Sequence, residues 1–288
     1  ETYRKDPRYL YEADDIQGII CIKDDHYEDA VMKDSDKVLL EHFGFAYSSD
    51  MNRYVAAFVR DLDNLSPEHQ AIWRSKEVDE TTQLHPEYRR SVLGEFPTQI
   101  PICEAFTWEL QTINRMCQAI DYPPIFKDDF VDGRPKEFAF LLRPTSSELN
   151  AFIMLLDKMI SDNLNKKFFE RDTDPVEERT RDDGKIEVRH KGTIRLLEEW
   201  VNQKFRPRDP KPLEEMFRTF RHIRNLRQKP AHAVSDDKFD QKYFQEQREI
   251  LMQAYDAVRT LRLILANHPH VNDVRVNEAL YKGNICTL

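Results

Sequence analysis

From Gln17 to about Asp61 the apolar residues fall in short β-rich runs separated by polar clusters. Gly18-Ile19-Ile20-Cys21-Ile22 is followed by Val38-Leu39-Leu40 leading into Phe43-Gly44-Phe45-Ala46-Tyr47, and then by Tyr54-Val55-Ala56-Ala57-Phe58-Val59. This spacing predicts strands joined by turns, with Ser48 to Asn52 as a hairpin connection. Ser66 reads as an N-cap with Pro67 at the first helical position, so a short helix through Trp73 is expected. Pro86 opens another short helix, and Cys103 to Ile120 a longer one whose stripe is Phe106, Leu110, Ile113 and Cys117. Phe138-Ala139-Phe140-Leu141-Leu142 is expected to be one last strand.

After Pro144 the period lengthens to that of helices. Ser146 or Ser147 caps a helix with the stripe Leu149, Phe152, Ile153, Leu156, Met159, Ile160 and Leu164. A charged stretch from Glu170 to Lys191 follows, with Asp183-Gly184 as a turn between two short strands. A second helix starts near Thr193 and buries Ile194, Leu197, Trp200 and Val201. A third, set up by Pro210 and Pro212, carries Leu213, Met216, Phe217, Phe220, Ile223 and Leu226, and a fourth runs from about Phe239 to Asn267. The predicted class is α+β: an N-terminal mixed α/β domain over 1–145, then a C-terminal all-α four-helix bundle with a tail over 146–288.

Composition narrows the function. With 40% hydrophobic residues over 288, the chain can bury a core without disulfides or a structural metal. No apolar run approaches the roughly eighteen residues of a membrane span, and no signal peptide opens the sequence, so a cytoplasmic chain with no membrane partner is expected. Opening on Glu1 rather than Met reads as a fragment or a processed chain. Cys21, Cys103, Cys117 and Cys286 form no C-x-x-C pair, which leaves free thiols in a reducing compartment. Neither G-x-G-x-x-G nor a P-loop occurs, and no cofactor or metal is expected. The net charge of −9 argues against a chain coated in nucleic acid but leaves room for one basic groove.

Such a groove is suggested between Arg206 and His232, where eight basic residues face three acidic ones, a local balance of +5. The apolar stripe of the third bundle helix leaves Arg218, Arg221 and Arg224 on the wet side. An ordinary solvated face, its arginines paired with acidic neighbours, produces the same pattern. The run ends Arg227-Gln228-Lys229-Pro230-Ala231-His232. On an unbroken α-helix residues five apart point about 140° away from each other. Pro230 forbids that continuation, and the resulting bend can swing Arg227 and His232 toward one locus. Histidine titrates near physiological pH and suits proton transfer, while a guanidinium suits phosphate oxygens. Together they fit RNA cleavage by attack of the neighbouring 2′-OH, with the guanidinium stabilising charge on the phosphorane.

Arg227 to His232 resembles the R-x4-H motif of the HEPN superfamily, and its place between the last two helices of a bundle is similar as well. The wording from Arg221 to His232 looks most like the Apea-like branch found in bacterial antiviral and abortive-infection proteins. The resemblance, over about Ser146 to Asn267, implies a homodimer whose two motifs converge and a metal-independent endoribonuclease of defence or toxin type. It assigns catalysis to Arg227 and His232 and RNA contact to Arg218, Arg221, Arg224, Gln228 and Lys229. It also offers Asp157 on the first bundle helix as a residue orienting His232, against a surface ion pair. Gln228 stands where members often carry a small polar or charged residue such as Asn. Leu62 to Trp73 loosely resembles a segment of uncharacterised bacterial proteins that carry this bundle, which implies a sensor or substrate-positioning role for residues 1–145. A regulatory partner or ligand is compatible with that arrangement.

The alternative is the same bundle used without catalysis, for dimerisation or for binding RNA or a protein. Asp128, Asp129, Asp132 and Glu137 match no ordered ligand set and read as loop residues; His268 and His270 read as a helix stop. Trp200 and Tyr255 read as core.

Overall fold

A computed structural model describes residues 19–23, 43–63, 65–93, 99–141, 143–180, 185–228 and 239–287. Helices and strands are both present, as the α+β expectation requires. The Val38-Leu39-Leu40 run, the Asp183-Gly184 turn and the motif residues Lys229, Pro230 and His232 lie outside the described residues.

Three of the early apolar runs are strands: β1 (Ile19–Lys23), β2 (Gly44–Tyr47) and β3 (Arg53–Phe58). With β4 (Gln83–Leu84) they make an antiparallel sheet of order β1-β3-β2-β4. The β2–β3 register pairs Tyr47 with Arg53, so Ser48 to Asn52 form the hairpin connection. Met51 takes a positive φ of 64° there. Helix α1 (Val59–Leu62) follows directly. Helix α2 (Pro67–Lys76) begins where expected, the Ser66 side chain accepting from the His69 N–H. Helix α3 (Pro86–Leu93) sets Tyr88 so close to the β2 strand that Gly44 has no room for a side chain: a Cβ there would lie 2.1 Å from Tyr88 Cγ.

The strand β5 (Ile100–Pro101) leads into α4 (Ile102–Ala119). Phe138 to Leu141 is not a strand. Its polar backbone is satisfied by side chains instead, Gln247 accepting from the Leu141 N–H and donating to the Ala139 carbonyl, and Arg53 donating to the Leu141 carbonyl.

Helix α5 (Ser146–Asp157) is capped by Thr145, which accepts from the Glu148 N–H, rather than by either serine. It continues as one π-turn, Lys158–Asp162, and then α6 (Lys166–Phe169). The charged stretch forms the hairpin β6 (Val176–Thr180) with β7 (Ile186–His190). Helices α7 (Thr193–Lys204), α8 (Lys211–Gln228) and α9 (Gln241–Leu265) match the second, third and fourth predicted helices. Helix α10 (Glu278–Lys282) and β8 (Ile285–Cys286) bring the tail back to pair in parallel with β5.

The hydrophobic core does not divide at residue 145. Phe106, Leu110 and Ile113 of α4 share one cluster with Phe152, Leu197, Phe220 and Val258, whereas Val55, Leu62 and Trp73 form a separate one. Helix α4 is tied to α9 by a buried ion pair between Glu109 and Arg262. The sheet joins the helices at Arg53, 1% exposed, whose guanidinium lies between Phe45 and Phe244 at 4.2 and 4.8 Å from the ring centres.

Candidate functional site: an arginine clasp at the end of α8

The π-turn creates the site. Residues five apart on an α-helix diverge by about 140°, but the i→i+5 hydrogen bond of a π-turn stacks them. Asp157 and Asp162 are five apart, and their carboxylates therefore reach the same face. The wider turn is held by side chains on its carbonyls: Asn163 donates to Met159 O at 3.1 Å, Thr193 to Ser161 O at 2.7 Å and Lys127 to Asp162 O at 2.5 Å.

Opposite them stand Arg224 and Arg227, one on the penultimate and one on the last turn of α8. Arg227 Nη1 donates to Asp157 Oδ2 at 2.6 Å and to Asp162 Oδ2 at 2.5 Å. Arg224 Nη2 donates to Asp162 Oδ1 at 2.7 Å, and its Nε lies 3.1 Å from Asp157 Oδ1, an ion pair outside hydrogen-bond geometry. Two carboxylates and two guanidiniums thus close a ring of zero net charge. Its members differ in burial: Asp157 is fully buried, while the side chains of Arg224, Arg227 and Asp162 are 28, 29 and 42% exposed.

Burial pulls the Asp162 carboxyl up, but its hydrogen bonds from Arg227 and Arg224 outweigh that and hold it below the ordinary aspartate value. The bonds to Asp157 and Asp162 raise Arg227 further above an already high value. Both groups are charged at neutral pH. Among the described residues Arg227 uses only Nη1; no bond engages its Nε–Nη2 edge, which has the fork geometry of a phosphate contact.

Asp157 was offered as a residue orienting His232, against a surface ion pair. It is in an ion pair with Arg227 and Arg224, but its carboxylate is fully buried, and His232 lies outside the described residues. Nor do the basic residues form one track. Each step of three along a helix turns the side chain by about 60°, so from Arg218 to Arg227 the arginines circle about half the helix. Arg218 pairs with Glu215 and lines a groove of about 480 Å³ between α8 and α9; Arg221 pairs with Glu198 of α7; Arg224 and Arg227 reach the π-turn. Gln228 is exposed at the end of α8. Lys229 and His232, with Pro230 between them, lie beyond it outside the described residues.

Comparisons of the chain with family models, with curated proteins and with solved structures find no match. The site is therefore read from its own geometry.

Asp162 is the member that sequence spacing hides, since α-helical periodicity turns it away from Asp157 and nothing in the local sequence announces a π-turn. The Glu109–Arg262 pair was equally invisible, its halves lying 153 positions apart. Asp128 and Asp129 sit in a loop, accepting from the Phe130 N–H and from Asn114. His268 caps the turn at Pro269–Val271 by accepting from the His270 N–H, and Trp200 and Tyr255 are buried in the core.

Proposed function

We propose that this chain is a metal-independent endoribonuclease of HEPN type, acting in bacterial antiviral defence or toxin-type growth arrest. On this reading α5, α7, α8 and α9 are the four-helix bundle, the region before it is a sensor or positioning domain, and two copies pair to bring their motifs together. The observation that carries the proposal is the fixed pose of Arg227. A buried carboxylate holds one side of its guanidinium while, among the described residues, no bond engages the other edge, one residue before the end of α8 and five before His232.

The chemistry assigned to these residues balances without a cofactor. His232 takes the proton of the 2′-OH, the 2′-oxygen attacks phosphorus, and Arg227 stabilises the charge on the equatorial oxygens. The 5′-oxygen leaves and is protonated, which gives a 2′,3′-cyclic phosphate. Arg224, Arg221, Arg218, Gln228 and Lys229 are the proposed RNA contacts.

The test is incubation of the purified chain with an end-labelled RNA and with the same RNA carrying 2′-deoxy substitutions. Cleavage that persists in EDTA, yields cyclic phosphate ends and fails on the deoxy positions is expected. Arg227→Ala and His232→Ala each abolish it; full activity in either variant refutes the assignment.

A second reading rests on a specific observation: Arg218, Arg221, Arg224 and Arg227 each already have a carboxylate partner. A bundle with its arginines so engaged also suits a non-catalytic module for dimerisation or for binding RNA or a protein. Salt-sensitive RNA binding without any product favours it.

A further inference from the structure

A groove of about 360 Å³ separates α4 from the tail segment that precedes α10. That volume is at the lower end of the range of small-molecule sites. Trp108 and Arg115 both line it from α4. Being seven residues apart, they lie within about 20° of each other on one helix face and about 10 Å apart along the axis. Trp108 packs on the core, and among the described residues no other ring and no cation stacks on its indole. The other two tryptophans, Trp73 and Trp200, are buried.

The pose of Arg115 is set from within the helix. Its Nη2 donates to the Thr112 hydroxyl at 3.1 Å, and that hydroxyl, on a residue 1% exposed, donates to the Trp108 carbonyl at 2.7 Å. The guanidinium is thereby turned back along α4 toward the indole, with Nη1 and Nε unused among the described residues. Across the groove Arg275 is exposed and makes no hydrogen bond or ion pair among the described residues. Its backbone is anchored on both sides. Val274 and Val276 pack against the core, and Asn277 caps α10 by accepting from the Ala279 N–H at 2.9 Å. In a chain of net charge −9, two guanidiniums without an acidic partner thus stand beside one indole, whereas the arginines of α8 are each tied to a carboxylate.

We propose that this groove binds a nucleotide, its base stacked on Trp108 and its phosphate held between Arg115 and Arg275. An indole is a stacking surface for any base, and each guanidinium supplies charged donors suited to phosphate oxygens. Gln111 is held in the same groove by donating to the Phe130 carbonyl at 3.4 Å, which leaves its amide oxygen to accept from a base amino group. A free mononucleotide and a nucleotide within a single strand share this chemistry. The site is outside α5, α7, α8 and α9 and does not depend on the nuclease reading.

Calorimetric and tryptophan-fluorescence titrations of the full chain test it with two probes. One is adenosine monophosphate, the other a short single strand of 2′-deoxyadenosine, which the proposed cleavage chemistry cannot cut. Adenosine and inorganic phosphate serve as controls. At least one probe is expected to bind saturably, to quench tryptophan emission, and to bind about tenfold tighter or more than either control. Monophosphate binding as tight as the strand or tighter identifies a free-nucleotide site; a strand that binds where the monophosphate is weak identifies a single-strand site. Arg275→Ala, which breaks no bond of the fold among the described residues, weakens the bound probe about tenfold or more by loss of a charge-assisted hydrogen bond. Trp108→Leu keeps an apolar side chain on the core, abolishes the quench and weakens binding by a similar factor. Arg189→Ala, on β7, removes the same charge elsewhere and leaves the affinity unchanged. Binding of neither probe at millimolar concentration, adenosine or phosphate binding as tightly as both probes, or unchanged affinity in Arg275→Ala overturns the proposal.

Discussion

Replacing Asp157 with asparagine removes a negative charge that solvent does not reach and turns part of an acceptor into a donor facing two guanidiniums. Breaking a fully buried ion pair costs about 3–5 kcal/mol. Here Arg224 and Arg227 keep about a quarter of their surface in water and keep Asp162, so part of the lost partner is replaced. The expected cost is about 2 kcal/mol, which for a chain of this size lowers the thermal midpoint by about 4–8 °C. Asp162→Asn removes the same charge from a side chain 42% exposed, and should cost below about 1 kcal/mol. Urea denaturation of both variants with a shared slope gives the two numbers. Added salt shrinks the Asp162 effect and leaves most of the Asp157 effect in place. Acid separates the wild type from Asp162→Asn as well. The Asp162 carboxyl is depressed below its ordinary value of 3.8, so its contribution is present above that pH and is lost as pH falls through the lower folded-state value. The acid arm of the stability curve below about pH 4 is therefore shallower in the variant. Equal costs for the two substitutions, or a cost under about 0.5 kcal/mol for Asp157→Asn, would show that burial does not organise the clasp.

Two further predictions concern the packing around it. Glu109→Gln leaves Arg262, 4% exposed, charged and unpaired between α4 and α9, and should cost about 3 kcal/mol in urea denaturation; Glu109→Met with Arg262→Met should recover most of that, and a double variant as unstable as the single one refutes the pairing argument. Gly44→Ala drives a methyl to 2.1 Å from the Tyr88 ring and should cost at least about 1–3 kcal/mol; a thermal midpoint equal to wild type would place Tyr88 elsewhere.

What could be read from the sequence follows the range of the forces involved. The Ser48 to Asn52 connection, the Ser66 cap and the helices α7, α8 and α9 are written in residues a few positions apart, where turn chemistry and apolar period act directly. Phe138 to Leu141 misleads because its apolar run is buried as a strand would be, while Gln247, more than a hundred positions away, takes its backbone bonds. The boundary expected near Pro144 marks a change of local period, but α4 buries Phe106 and Leu110 among side chains from the last helices, and no local signal reports that. Asp157 was noticed for its position on the first bundle helix, and Arg227 for its motif. That they would meet each other depends on the angle at which α5 and α8 cross, which periodicity does not encode.

The clasp also bears on how a basic run behaves in a chain of net charge −9. Arginines spaced three apart precess around α8, so Arg218 meets Glu215, Arg221 meets Glu198, and Arg224 and Arg227 share Asp157 and Asp162, and none adds to a continuous positive stripe. Capture of RNA by such a helix requires carboxylates to give way to phosphates one site at a time. At Arg227 the two carboxylates are unequal in this respect. Asp157 is enclosed and cannot leave without exposing the interior, whereas Asp162 is at the surface and can turn into water. On the proposed reading, a phosphate that displaces Asp162 finds Arg227 still aimed by Asp157, so the guanidinium gains a ligand without losing its direction. An arginine held by two exposed acids would lose its aim on exchange, and one held by two buried acids would have no side to offer.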